Sequence, residues 1–467
     1  MGFFLSLIGA ALLLVGGGGC ALLLLPRRQP AQLVEVFALS VALGSLLVAL
    51  ISFVFGFLVS GFTLRLAVGL ACLGVAGLGG RFGAPIRVGR PSPGCWALPM
   101  VVFVAELSFL VWLGGRWTLG WDSLVNWEFK ARVATLNGGG MPLAYYLDVG
   151  TQWSHPEYPL LLPLTEAWLF DWAGRADERL VRGLFGLYDA ALLAGLYVLG
   201  TRFGTSRWNG TLGMFLVVLV PQLIVGIGST TTAWADYLIA LLYLMAGGYL
   251  VQAVARATPE LFRLVTVLSV ALVWTKQEGA FLWLSLALAT ALFARGHRVR
   301  GTTLVVLPAL VMLAGWRLFI QALGVPPSFD FLPVTVSTFL GHLDRVPELV
   351  GWTANKMTDG GAWGLLWAGL VLAVLLPDRR QVRQQLTLGL LVLTPLVPDM
   401  LSFVFSAWTP YTSHVENAMP RLMEQLAPLG VLAVASAAPC PPVPRPLRCL
   451  NTLLHGFGPV QPGHRTK

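Results

Sequence analysis

The chain is dominated by long apolar stretches separated by short charged segments. Hydrophobic residues make up 56% of it and charged residues 11%, against about 25% charged in a typical soluble domain. A single water-soluble core cannot bury such an excess, so lipid must be the solvent for most of the chain. Helices satisfy their own backbone polar groups in lipid, whereas a closed barrel would need short alternating segments. The sequence therefore predicts an all-α, polytopic transmembrane helical bundle.

The spacing of the apolar runs predicts about thirteen spans, because a bilayer core takes about 20 residues per helix. They lie near residues 2–25, 33–59, 62–80, 96–114, 181–200, 209–228, 236–255, 263–275, 279–294, 303–322, 361–377, 386–407 and 425–438. No basic residue precedes the first run, so we expect it to be a retained helix rather than a cleaved signal. The pair 263–275 and 279–294 could instead form one kinked helix.

Basic residues gather in alternate loops between these spans. They are Arg27 and Arg28; Arg81, Arg87 and Arg90; Arg202 and Arg207; Arg256 and Arg263; Arg295, Arg298 and Arg300; Arg379, Arg380 and Arg383; and Arg445, Arg448, Arg465 and Lys467 in the tail. The positive-inside rule makes these loops cytoplasmic and places the N-terminus outside. Most acids fall in the opposite, outward segments. We expect a bacterial inner-membrane protein whose functional site faces outward.

The predicted organisation has four parts. They are N-terminal transmembrane helices at 1–95, a core at 96–300 with an outward loop at 115–180, C-terminal helices at 301–438 with outward loops at 323–360 and 408–424, and a basic cytoplasmic tail at 439–467. The stretch 159–172 is apolar but too short to span, which predicts a re-entrant or interfacial helix. In the loop 323–360, apolar residues recur at helical spacing from Phe339 to Val350, interrupted by Pro347.

Four groups of polar residues lie in the outward segments. They are Asp122 with Trp121, Ser123, Trp127, Lys130 and Arg132; His155 and Glu157 within residues 153–159; Asp236 with Lys276, Gln277 and Glu278; and His414 with Tyr411, Ser413, Asn417 and Arg421. A partly buried carboxylate can serve as a general base. Lysine, arginine and histidine are the side chains that bind an anionic phosphate, and arginine can bind it bidentately.

Simpler interpretations of these residues stay open. Asp122 and Asp236 could end their helices in water, and Lys130 could extend its amine to the interface. His155 and His414, taken singly, are more often structural or solvated than catalytic, and the aromatic residues suit an interfacial belt. Two further acids, Glu106 and Asp189, fall within spans, where ionisable residues are functional candidates by default.

The outward motifs together resemble the GT-C superfamily of membrane glycosyltransferases. The resemblance rests on Asp122 after a span, on HPEYP at 155–159 opening a short apolar helix, and on ADERLVRGLFGLYDAALLAGLYVLGTRFG at 176–204. These are similar to protein O-mannosyltransferases and lipid A aminoarabinose transferases, while TKQEG at 275–279 and HVENAMPRLMEQLAP at 414–428 resemble a bacterial subgroup. The resemblance covers roughly residues 115–300 and 405–430. Two departures are the three spans before the one leading into the loop, and the lack of a second acid beside Asp122.

The resemblance implies inverting transfer of a sugar from a polyprenyl-phosphate donor to a hydroxyl of a glycan, lipid or protein acceptor, in contact with membrane lipid. Asp122 would act as the base, and Asp236 would position the acceptor or a divalent cation, if one is used. The donor phosphate would be held by four residues: Lys276, Arg421, His155 and His414. Further site candidates are Lys130, Glu157, Glu278 and Asn417.

Two other functions stay open, and nucleic-acid binding is not expected. The chain could be a transporter or flippase of lipid-linked or anionic solutes that uses Glu106 and Asp189, although no inverted repeat is apparent. It could also be a non-catalytic assembly subunit. Nucleic-acid binding is not expected, because the sequence contains no basic patch of the kind that it requires.

Overall fold

The computed structural model describes residues 2–87, 93–204, 206–256, 258–379 and 381–439. These residues are almost entirely helical, and the one sheet among them is a two-stranded parallel pair, Ala31–Gln32 with Ile86–Arg87. The all-α prediction is therefore confirmed for the described part of the chain. Arg90 and Arg380 of the predicted basic loops, and the predicted tail beyond residue 439, lie outside the described residues.

The chain forms twenty α-helices within the described ranges. In the first half they are α1 (Gly2–Leu24), α2 (Leu33–Phe55), α3 (Gly61–Phe82), α4 (Pro93–Gly114), α5 (Phe129–Leu136), α6 (Leu143–Leu147), α7 (Leu161–Ala173), α8 (Glu178–Phe203), α9 (Arg207–Val217) and α10 (Pro221–Val225). In the second half they are α11 (Ala235–Ala255), α12 (Leu261–Val273), α13 (Gly279–Phe293), α14 (Arg298–Ala322), α15 (Val336–Gly341), α16 (Arg345–Met357), α17 (Gly360–Trp363), α18 (Leu366–Leu375), α19 (Val382–Ser402) and α20 (Tyr411–Ala437). A π-helical segment at Ser123–Glu128 leads into α5, and two short 3-10 segments lie at Val149–Ser154 and Phe403–Phe405.

Eight of the described helices are long and apolar enough to cross a membrane, as expected of an integral membrane protein. They are α1, α2, α3, α4, α8, α11, α14 and α19. The remaining predicted spans correspond to shorter or more polar helices, so the count of about thirteen stays a prediction. The expected single helix at 209–228 is wrong, because α9 ends at Val217 and α10 begins at Pro221. Proline lacks the amide hydrogen needed inside a helix and favours a helix start.

Two other expectations are resolved by the helix boundaries. The pair at 263–275 and 279–294 forms two separate helices, α12 and α13, joined by a turn that contains Lys276 and Glu278. The apolar stretch 159–172 forms the short helix α7, most of which is buried. In the loop 323–360 the helical pattern breaks at residues 342–344 rather than at Pro347, which lies in the first turn of α16.

Helix α11 lies at the centre of the bundle. It is apolar on every side, and nearly all of its residues are buried against α8, α12, α13, α19 and α20. A helix that is hydrophobic all round belongs in such a position. By contrast, α3, α4 and α14 leave most of their apolar surface exposed, as helices do where lipid is their neighbour. The N-terminal end of α11 carries Asp236, and its position determines where the polar residues meet.

Glycines allow three N-terminal helices to approach closely. A Cβ atom added at Gly17 of α1 would lie 1.9 Å from the backbone oxygen of Ser40 in α2. One added at Gly79 of α3 would lie 2.6 Å from the Cα and oxygen of Gly19 in α1. Small residues serve this purpose in membrane helix pairs, where van der Waals packing replaces the hydrophobic effect.

The contact between α1 and α3 yields a stability prediction. Gly79→Val should lower the free energy of unfolding by about 1–3 kcal/mol, because the added carbons overpack a backbone contact. Thermal unfolding of the detergent-solubilised chain measures the change. Gly77→Val is the matched control, since a Cβ atom there meets no atom within 4 Å. Equal melting temperatures for the two variants would contradict this account of the α1–α3 contact.

Candidate functional site

A fully buried carboxylate, Asp236 in the first turn of α11, forms the centre of the polar cluster. Its Oδ1 accepts hydrogen bonds from Nζ of Lys276 at 3.0 Å and from Nε2 of Gln425 at 2.7 Å. Its Oδ2 accepts from Nη2 of Arg421 at 3.0 Å and from Nε at 3.3 Å. A buried charge persists where partners of this kind replace water. The alternative in which Asp236 ends its helix in water is therefore excluded.

Arg421 joins the two acids that the sequence singled out. Its Nη2 lies 2.9 Å from Oδ2 of Asp122 and also bonds to Asp236. The guanidinium lies over the ring of Trp234, 4.3 Å from the ring centre, which adds a cation–π contact. Asp122 keeps 23% of its side chain exposed, whereas Asp236 keeps none. The two acids thus share one arginine, but only Asp122 is accessible to another molecule.

Helical spacing explains why α20 supplies two partners to one carboxylate. Arg421 and Gln425 are four residues apart and lie on the same face of the helix. The expected neighbour of Arg421 was instead Asn417, one turn earlier, whose side chain is exposed. Gln425 was missed; it lies four residues after Arg421, but the sequence does not show that one carboxylate faces both side chains. Glu424 was also missed; it is buried and accepts a hydrogen bond from Gln222 at 3.2 Å.

Lys276 reaches the cluster from the turn between α12 and α13. Its side chain is 3% exposed, and Nζ also lies 2.8 Å from Oε1 of Glu278. The amide of Gly279 donates to the carbonyl of Lys276, which closes the turn at 3.1 Å. The predicted proximity of Lys276 to Asp236 is therefore observed, and Glu278 lies beside it.

A glycine-containing loop at residues 226–234 covers the cluster. Gly228 has a φ of +108°, and a Cβ atom there would lie 3.2 Å from Oε2 of Glu424, 3.3 Å from Cβ of Asp236 and 3.4 Å from Cγ of Arg421. The amide of Gly120 donates to the Thr232 carbonyl at 3.0 Å, which ties this loop to the segment that contains Asp122. The positive φ favours glycine at position 228, and a Cβ atom there would also be tightly packed.

Lys130 lies in a second, aromatic-walled group. Its side chain is fully buried, its Nζ lies 5.2 Å from the ring centre of Trp127 and 5.3 Å from that of Tyr158, and it donates to Oδ1 of Asn126 at 3.4 Å. Burial lowers the pKa of Lys130 to about 7, against the opposing effect of the carboxylates of Glu157 and Asp122. The alternative in which this amine extends to the interface is excluded, because Nζ lies inside the protein.

His155 lies among carboxylates rather than beside Lys276 or Arg421. Its Nδ1 is 3.0 Å from Oε1 of Glu157, and its Nε2 is 3.7 Å from Oδ2 of Asp330. Its backbone has a φ of +52°, a conformation that residues other than glycine rarely adopt. The assignment of His155 to the donor phosphate is thus not favoured, since two carboxylates surround its ring.

His414 packs among aromatic rings near the start of α20. Its ring stacks on Trp408 with centres 4.7 Å apart, Phe403 and Phe331 also pack against it, and its Nδ1 lies 2.9 Å from Oγ of Ser406. These contacts hold the segment before α20 against residues 328–332. Of the four predicted phosphate-binding residues, the geometry therefore brings together Lys276 and Arg421, and gives His414 a packing role.

The donor set around Asp236 does not fit a divalent cation. Its oxygens are engaged by an ammonium, a guanidinium and an amide, all of which donate hydrogen bonds. In the residues that the structure describes, no group of three His, Cys, Asp or Glu side chains could hold a metal ion. The expectation that Asp236 positions a cation is therefore not favoured.

The two acids within spans have different surroundings. Asp189 of α8 is buried, and its Oδ2 accepts a hydrogen bond from Oγ1 of Thr230 at 2.9 Å, in the loop that covers the cluster. Glu106 of α4 is buried too, but neither carboxylate oxygen has a hydrogen-bond partner within the described ranges. Asp189 thus supports the covering loop, whereas Glu106 lies apart from this network.

Comparison with models of known protein families, with curated proteins and with solved structures finds no match to this chain. The resemblance to the GT-C superfamily therefore rests on the motifs quoted above and stays a prediction. Function has to be argued from the chemistry of the site, because a fold alone does not determine an activity.

The buried amine of Lys130 predicts a pH-dependent stability. Its pKa is about 7 in the folded chain and near 10.5 when unfolded, so between these values the unfolded chain binds the extra proton. The free energy of unfolding should then rise with pH, by up to about 1.4 kcal/mol per pH unit. Chemical unfolding between about pH 7.5 and 9.5 should show a steeper rise for the wild type than for Lys130→Met. Lys356→Met is the control and should keep the wild-type slope; equal slopes in all three proteins would contradict a buried neutral amine.

Proposed function

We propose that this protein is a membrane glycosyltransferase that moves a sugar from a polyprenyl-phosphate donor to an acceptor hydroxyl. The observation that carries the proposal is the arrangement of Asp122, Arg421, Asp236 and Lys276, in which the partly exposed carboxylate of Asp122 contacts Arg421, and the buried carboxylate of Asp236 joins Arg421 to Lys276. Transfer from a phosphate ester requires a base for the acceptor hydroxyl and positive groups for the departing phosphate. The motif resemblance to GT-C enzymes supports the same conclusion.

Asp122 is the proposed general base. As the acceptor oxygen attacks the anomeric carbon, its proton passes to the Asp122 carboxylate. The bond between the anomeric carbon and the phosphate oxygen breaks, and its electron pair leaves with the polyprenyl phosphate. Attack from the face opposite the leaving group inverts the configuration. The partial exposure of Asp122 suits this role, because the acceptor has to reach it.

Arg421 and Lys276 are the proposed partners of the departing phosphate. Positive groups held rigidly where negative charge develops stabilise a transition state most strongly where water is scarce. None of the hydrogen bonds in the described part of the chain uses Nη1 of Arg421. This nitrogen can therefore donate to a phosphate oxygen. Asp236, enclosed by three donors, would position these cations rather than touch the acceptor.

A lipid-linked donor is consistent with the membrane setting. The polyprenyl chain can stay in the bilayer while its phosphate reaches residues at the N-terminal end of α11. We further propose that the chain has about thirteen spans in a bacterial inner membrane. The cluster would face outward, since the basic residues in alternate loops favour a cytoplasmic location for those loops.

The base assignment predicts a large loss of activity in a single variant. Asp122→Asn keeps the shape of the side chain and removes its basicity, so transfer should fall by about 100-fold or more. The measurement is release of polyprenyl phosphate when purified protein is incubated with a panel of prenyl-phosphate sugars and acceptors. Asp148→Asn, an exposed acid of the same segment, should keep the wild-type rate. A wild-type rate in Asp122→Asn would exclude it as the base and favour the transport or scaffold functions.

The orientation predicts opposite labelling of two exposed positions. In a chain whose five cysteines are replaced by serine, a cysteine introduced by Ser413→Cys should react with a membrane-impermeant thiol reagent in intact cells. One introduced by Val299→Cys should react only after the cells are opened, because it lies at the start of α14 between the basic residues Arg298 and Arg300. Both side chains are exposed, so burial would not mask either site. The reverse pattern would show that the cluster faces the cytoplasm.

A further inference from the structure

A cavity of about 670 Å³ lies between the loop joining α1 to α2 and the loop joining α11 to α12. Four arginines line it: Arg27 and Arg28 from the first loop, Arg256 from the second loop and Arg263 from the first turn of α12. Among the lining residues that the structure describes, Glu260 is the one acid. Four guanidinium groups against one carboxylate leave an excess of three positive charges in one concave site.

Most of this positive charge is not neutralised within the protein. Within the described ranges, the side chains of Arg27, Arg28 and Arg263 form neither a salt bridge nor a hydrogen bond, and Arg256 donates only to the backbone carbonyl of Arg202. Such guanidinium groups are free to bind a phosphate, which they can do with two parallel hydrogen bonds. The cavity therefore has the chemistry of an anion site.

Part of the remaining wall of the cavity is apolar, and the rest includes Gln29 and Thr258. Leu23, Leu24 and Leu25, at the end of α1, line it beside the arginines. Leu23 is exposed on the outer surface of α1, one of the helices able to cross a membrane. A ligand that fits this combination has an anionic head and an apolar tail, with the tail running along α1.

The cavity lies at the opposite end of α11 from Asp236. Helix α11 contains 21 residues, so its ends are about 30 Å apart, close to the thickness of a bilayer hydrocarbon core. Since Asp236 lies in the first turn and Arg256 directly follows the last, the cavity is separate from the proposed active site. It lies at the level where lipid head groups would meet the other face of the membrane.

We propose that this cavity binds the phosphate head group of an anionic phospholipid. The guanidinium groups bind the phosphate, and the acyl chains pack against the leucines of α1. Basic pockets between transmembrane helices on the cytoplasmic side are suited to anionic lipids. The site is independent of the proposed sugar transfer, because none of its residues belongs to the Asp236 cluster.

Native mass spectrometry of the purified full-length chain tests this site. The protein is mixed with equal amounts of phosphatidylglycerol and phosphatidylcholine that carry the same acyl chains. The wild type should retain phosphatidylglycerol about tenfold more than phosphatidylcholine, and Arg28→Gln/Arg263→Gln should reduce this ratio to near one. The charge-matched control Arg300→Gln/Arg379→Gln, which alters exposed basic residues outside the cavity, should keep the tenfold ratio. Equal loss in the two double variants, or no preference in the wild type, would overturn the proposal.

A second measurement, competition with inorganic phosphate, distinguishes a lipid ligand from a soluble anion. A large excess of inorganic phosphate should leave phosphatidylglycerol bound, because the acyl chains also contribute contacts along α1. Displacement of the lipid by phosphate alone would mean that the cavity takes a free anion, and would overturn the assignment to lipid. Should Arg28→Gln/Arg263→Gln fail to fold, Arg27→Gln/Arg28→Gln gives the same test with two exposed residues of one loop.

Discussion

A carboxylate without solvent contact stays ionised only where cations and hydrogen-bond donors replace the lost water. Asp236 meets this requirement with partners from separate parts of the chain: Lys276 from the turn between α12 and α13, and Arg421 and Gln425 from α20. The turn between α12 and α13 and the segment of α20 around Arg421 therefore have to converge on the start of α11. Loss of one partner from a buried pair typically costs about 3–5 kcal/mol, because it leaves an uncompensated charge. The apolar core places α11 centrally, and this ion cluster determines how the surrounding ends are arranged.

The same cluster prepares the chemistry that we propose. Arg421 is shared between a carboxylate that is enclosed and one, Asp122, that remains partly exposed. The enclosed acid orients the cation, so little reorganisation is needed when a phosphate develops charge nearby. The two ends of α11 then differ in charge: at the end with Asp236, the cations Lys276 and Arg421 are paired with carboxylates, whereas the far end, beside Arg256, has an excess of positive charge. One central helix thus separates a site suited to group transfer from a site suited to an anionic lipid.

Several parts of the structure follow from patterns that are local in sequence. The apolar runs predicted the helices that now appear as α1 to α4, α8, α11, α14 and α19, because hydrophobic length depends on consecutive residues. The break between α9 and α10 was overlooked, although Pro221 marks it. His155 and His414 were assigned by residue type alone, and their neighbours Asp330 and Trp408 give them other roles. Gln425 was missed because an amide in an apolar helix carries no signal until its partner is known.

The sequence by itself determined the helical class, most helix positions and the residues able to carry charge near helix ends. Those properties depend on composition and spacing along the chain. Only the tertiary structure decided that Asp236 is buried, that Arg421 bridges it to Asp122, and that Lys130 lies between aromatic rings. Asp236 and Arg421 are 185 positions apart, and no periodicity relates them. Burial and charge pairing arise from contacts between distant segments, so their energies become defined when the helices pack.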